Sequence, residues 1–209
     1  MKAESRWVAP LTFLIIVAVM AMMPSRYEAL PHLWRWSLIG LSLVLLVIWS
    51  VPWKGEREPA IHASAAYVAI AILTVVIIYS LTRLVGQIVF HPKDVGGTQL
   101  LFAALTLWLA NAAVFGIWFW LIDRGGPQAR ATQPGPAELF FPQMEMDSQQ
   151  DWEPRFFDYI FVGFTNATAF SPTDTLPLSR RMKAFMLVEA LVSLITVAMV
   201  AARAVNILS

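Results

Sequence analysis

Runs of about 17 to 30 mostly apolar residues recur along the chain, at 7–23, 33–53, 61–90, 98–122 and 180–207. At a rise of about 1.5 Å per residue, helices of such length match a bilayer's hydrocarbon core of about 30 Å. Buried helices of a soluble bundle would have to repeat that length several times over, whereas membrane spans require it. Composition agrees: 58% of the residues are hydrophobic, 14% are charged, and the mean hydropathy is +0.62. The expected fold is therefore all-α, a multi-pass helical membrane protein. Trp7, Trp34, Trp36, Trp49, Trp53, Trp118 and Trp120 fall near run ends, where interfacial aromatic belts sit. The apolar N-terminal run lacks a small-residue cleavage site ahead of Pro24, so it reads as a retained first helix.

Turn formers separate the runs. Pro24 and Pro31 frame the first connection, Pro52 and Pro59 the second, and His91, Pro92 and the Gly96–Gly97 pair the third. Asp123, Arg124, Gly125 and Gly126 stop the fourth run. Residues 1–123 thus read as four spans and 124–153 as a polar loop with four prolines, without helical or strand period. Within that loop Leu139, Phe140 and Phe141 are apolar enough to pack back on the protein.

The residue inventory excludes several functions. The chain has no cysteine, which removes disulfides and thiolate metal sites. A formal charge of +1, with scattered Lys and Arg, gives no footprint for nucleic acid. No nucleophile elbow, zinc-binding or phosphate-loop motif occurs, so neither enzyme activity nor a cofactor is expected. Glu145, Asp147, Asp151 and Glu153 read as a solvated acidic surface, and His32, His62 and His91 as ordinary boundary residues.

The last part of the chain has a different pattern. Residues 154–165 form an apolar segment of about 16 to 18 Å if helical, enough to enter the hydrocarbon core but not to cross it. A polar reversal follows at 166–176, then the final span. Together they read as a re-entrant half-helix, a loop and a crossing helix. On the final span Glu189, Ser193, Thr196 and Arg203 lie within about 80° of one another at 100° per residue. Ionisable groups inside a span face protein or water rather than lipid. Asn111, midway along the fourth span among small residues, reads as interhelical glue.

This unit resembles the pore-helix, filter and inner-helix module of potassium-channel-type proteins. The likeness lies in Phe161, Val162, Gly163 and Phe164 leading into Thr165, then Pro177, Leu178 and Arg180, then Glu189, Ala190 and Leu191. The whole chain also resembles small bacterial membrane proteins that carry a degenerate form of the module. The resemblance implies a filter-like loop at Thr165, Asn166, Ala167, Thr168, Ala169, Phe170 and Ser171. It further implies a homo-oligomer, by analogy a tetramer, in the inner membrane, with the lipid bilayer and monovalent ions as partners. Thr165, Asn166, Thr168 and Ser171 would face the symmetry axis, and the polar stripe of the last helix would line a vestibule. Residues 166–170 contain no glycine, and stacked carbonyl rings need the torsions glycine allows. Ordinary potassium selectivity is not expected. The competing expectation is a non-conducting scaffold that binds lipid or a partner protein. Orientation has two readings: the positive-inside rule puts the N-terminus in the cytoplasm, and filter loops of the channel family face outward.

Overall fold

The computed structural model describes the backbone of residues 7–23, 32–50, 60–90, 96–132, 135–146, 152–169 and 175–208; side chains at 32–35, 38, 50, 60–63, 131–132, 169 and 203–208 lie outside that description. Among the described residues the fold is all-α apart from one two-residue-per-strand ribbon. In order it forms α1 (Val8–Ala21), α2 (His32–Ser50), α3 (Ala60–Phe90) and α4 (Gly97–Ile122). After a 3-10 turn and the short α5 (Pro127–Thr132) comes β1 (Leu139–Phe140), then α6 (Phe156–Ala169), β2 (Leu176–Pro177) and α7 (Arg180–Leu208).

Among the described residues three helices are long and apolar enough to cross a membrane, over Ser64–Phe90, Gly97–Gly125 and Arg180–Ala202, so the chain is a helical membrane protein. α1 is apolar but shorter, at 14 residues, or about 21 Å. In α2 the apolar part spans Ile39–Trp49. Where turn formers separate the runs, the helix limits lie within about three residues of them.

α4 is the hub, packed against α1, α3, α6 and α7, while α2 leans mainly on α3. Its central position explains its side chains. From Val114 to Ile122 every residue is buried, although the sequence there is apolar all round. Such a helix is enclosed by protein on every side. This corrects the aromatic-belt reading for two tryptophans: Trp118 and Trp120 are buried. The Trp118 indole N–H donates to Thr74 Oγ1 at 2.9 Å, and its ring stacks near Tyr67 and Phe185. Trp120 packs against Trp49 and Phe156. Depth along the helix put them near a run end; tertiary packing turned them inward.

α6 runs antiparallel to α4. Its first turn meets α4's end through Trp120 and Phe156, and its later part meets α4's middle through Trp108 and Phe164. Between these contacts the two backbones touch. A Cβ built on Gly163 would clash with Ala112 O, and one on Gly116 would lie 2.9 Å from Ile160 Cα. Small residues permit this approach and larger ones forbid it.

α7 is also antiparallel to α4. Arg181 reaches Ile122 O at one end, Phe185 packs on Trp118, and Asn111 reaches Glu189 O further along. The chain enters α6 beside the end of α4 and comes back there, because β2 pairs antiparallel with β1, Leu139 against Pro177 and Phe140 against Leu176.

Polar groups fasten that end. The buried Asp123 carboxylate accepts hydrogen bonds from Glu138 N, Leu139 N and the Tyr159 hydroxyl, at 2.8, 3.2 and 2.7 Å. Burial raises the Tyr159 pKa well above its ordinary value; Arg130 acts against this, and the neighbouring Asp123 reinforces it. Tyr159 is thus held as the donor. Arg130 donates to Trp120 O and Asp123 O and lies over the Trp120 and Tyr159 rings. Glu138 pairs with Arg181 and accepts from Ser179 Oγ, while Ser179 caps α7 by accepting from Met182 N at 3.0 Å. Arg124, Gly125 and Gly126 all take positive φ in the reversal that starts the loop.

The Gly163 crossing yields a test. Gly163→Val should cost roughly 1–3 kcal/mol or prevent folding, because backbone must move to admit the side chain. Gly86→Ala should be neutral or slightly stabilising, since nothing lies within 4 Å of its added Cβ and alanine is the better helix former. Thermal unfolding of the detergent-purified variants reads both.

Candidate functional site

The residues singled out on the fourth run, the half-helix and the final run meet in one buried layer between α4, α6 and α7. Glu189 and Ser193 of α7 and Asn111 of α4 have no exposed surface, and Thr196 and Asn166 of α6 have almost none. Helical spacing aligns the α7 members on one face. The antiparallel run of α4 and α6 brings the other two to the same depth.

The hydrogen bonds close most of this layer internally. Asn166 Nδ2 donates to Met186 O at 2.9 Å and to Glu189 Oε2 at 2.7 Å. Asn111 Nδ2 donates to Glu189 O at 3.1 Å. One turn along, Trp108 Nε1 donates to Ser193 Oγ at 2.9 Å, and Ser193 Oγ donates to Ala167 O at 2.5 Å. Thr196 Oγ1 bonds back to Val192 O. Two acceptors remain without a partner, Asn111 Oδ1 and Glu189 Oε1.

The filter-like residues are placed differently from the expectation. α6 continues to Ala169, so 166–169 extend the helix where a loop was expected to begin. The Thr165 hydroxyl bonds Phe161 O and Val162 O, and the Thr168 hydroxyl bonds Phe164 O and Thr165 O. Back-bonding of this kind keeps threonine inside a helix. Asn166 and Ala167 point into the protomer, toward α7. Thr168 is exposed and Thr165 is half-buried. Phe170 and Ser171, and the side chains of Ala169 and Arg203, lie outside the described residues. The polar stripe likewise turns inward: Glu189, Ser193 and Thr196 face α4 and α6 rather than a vestibule, because those helices supply their partners.

Sequence reasoning passed over Trp108 as a member of the layer. Its signal was its position, the one tryptophan well inside a run, where an indole N–H needs an acceptor. Among the described residues no group of three or more His, Cys, Asp or Glu side chains could hold a metal ion. Comparison with protein-family models, curated proteins and solved structures gives no match.

Asn166→Leu should destabilise the protein by about 1–3 kcal/mol, because it strands Glu189 Oε2, whereas Met186 O keeps its bond within α7. Thr168→Val, on the exposed side of the same helix, should change stability little. Chemical denaturation in detergent, with both variants beside the parent, checks the difference.

Proposed function

We propose that the protein is a five-span inner-membrane protein whose α6–loop–α7 unit is a re-entrant pore-like module, assembled as a homo-oligomer that passes monovalent ions with weak selectivity. One observation carries this reading. α6 starts and the chain returns at the same end of α4, while the tip of α6 reaches α7 at Glu189 and Ser193. From Arg180 to Glu189 is about 14 Å along the helix, roughly half a bilayer core. A helix end placed there turns the negative end of its dipole toward the membrane interior, where it favours a cation.

The α6 surface away from α4 supplies the rest. Phe157, Phe161 and Thr168 are exposed, Thr165 is half-buried beside them, and together they make one face. On α7, Leu187, Leu191 and Leu194 are also open. Neighbouring copies packed on these faces would bring the Thr165 and Thr168 hydroxyls near a shared axis. α1 and α2 supply the remaining two crossings. In a second reading the protein is a non-conducting scaffold. It is favoured by Glu189, Ser193 and Thr196 of the polar stripe, whose side chains are buried inside the protomer rather than lining a path.

Two measurements test this. Because the native chain has no cysteine, Glu153→Cys and Leu178→Cys can each be labelled with an impermeant thiol reagent. Both should react from the same side of the membrane, and reaction from opposite sides would make α6 a full crossing. Reconstituted protein should show cation flux with a reversal potential that barely separates potassium from sodium. A strongly potassium-selective potential would refute the weak-selectivity reading, and absence of flux would favour the scaffold.

A further inference from the structure

Within the buried layer, hydrogen-bond supply and demand do not balance. The Asn166 amide nitrogen spends both hydrogens, on Met186 O and Glu189 Oε2. The Trp108 N–H goes to Ser193, and the Ser193 hydroxyl to Ala167 O. The Asn111 amide cannot turn over to help, since its nitrogen faces the Glu189 carbonyl and an oxygen there would meet another acceptor. Two fully buried acceptors are left over, Glu189 Oε1 and Asn111 Oδ1. One belongs to the only acidic side chain in the layer. No Lys, Arg or His among the described residues bonds or pairs with it, and the groups that engage it from α4 and α6 are the uncharged Asn111 and Asn166. A buried carboxylate and a buried amide oxygen without donors are each costly.

We propose that Glu189 and Asn111 form an intramembrane binding site for a small monovalent cation, either a proton carried on Glu189 or a dehydrated sodium ion. Either ligand supplies what the layer lacks. A proton turns Glu189 Oε1 from an acceptor into a donor and needs no added volume. A sodium ion takes oxygens of the same kind, a carboxylate and an amide carbonyl, as hard ligands. The site rests on packing within one protomer and does not require that the protein conduct. Its ligand would tie α4 to α7 at the depth where the α6 tip is anchored, so occupancy would set how firmly the re-entrant unit is held.

The test is thermal unfolding of the full-length protein in detergent, at mildly acidic and alkaline pH, with sodium chloride or choline chloride. It compares wild type with Glu189→Gln, which keeps the shape and provides a permanent N–H donor. A ligand bound only by the folded state raises stability in proportion to the logarithm of its concentration above Kd. At 100-fold excess, wild type should gain roughly 5–10 °C in Tm. If the ligand is a proton, the gain comes on acidification and is indifferent to sodium. If it is sodium, the gain comes at alkaline pH with sodium but not choline. Glu189→Gln should show neither gain. Asn111→Ala, which keeps the carboxyl, should reduce the gain and serves as the second variant should Glu189→Gln fail to fold. Equal responses of wild type and the variants to acid and to sodium would overturn the proposal and leave the two acceptors to a buried water.

Discussion

Where α6 crosses α4, two glycines let the backbones come into direct contact. Gly163 lies against Ala112 and Gly116, and Gly116 lies against Ile160 and Tyr159. This contact sets how deep α6 sits and how it is rotated. Only at this distance does Asn166 reach Glu189 and Ala167 reach Ser193. Only with this rotation does Tyr159 meet Asp123. In lipid, helix association gains from close packing and interhelical polar bonds rather than from the exclusion of water. The glycine crossing supplies the first and makes the second possible.

The two polar systems on either side of the crossing have different characters. At the α4 end the charged groups are mutually neutralising, Asp123 against Arg124 and Glu138 against Arg181, with the Tyr159 hydroxyl donating to Asp123. They fasten the loop over the helix ends, which suits a position near headgroups and water. The deeper layer is made of amides, hydroxyls, an indole and a single carboxyl. An ion pair there would pay a large desolvation penalty, whereas amide and hydroxyl bonds serve at modest cost. The chemistry of each layer follows its depth.

Much of this architecture was legible in the sequence because hydropathy and turn formers act locally. The helix limits lie close to the runs, and the face shared by Glu189, Ser193 and Thr196 follows from helical period alone. What was not legible depends on partners far along the chain. The stretch from Thr165 to Ala169 reads as loop because asparagine and threonine favour caps and turns, yet here threonine hydroxyls satisfy their own helix and Asn166 finds acceptors on α7. Trp118 and Trp120 read as interfacial because their depth, not their neighbours, was visible. Asp123 reads as a stop signal, and nothing local says that its carboxylate would also anchor residues 138 and 139 and the Tyr159 hydroxyl.

The anchoring of α6 also carries a consequence for the order in which the protein is made. Asn166 finds its acceptors, and Ala167 its donor, on a helix that follows them in the chain, while Gly163 is seated on one already synthesised. During synthesis α6 can therefore lean on α4 as soon as it emerges, but its tip stays unsatisfied until about the first half of α7 has been added. α6 is a provisional structure until then, and completion of α7 is the event that fixes its tip.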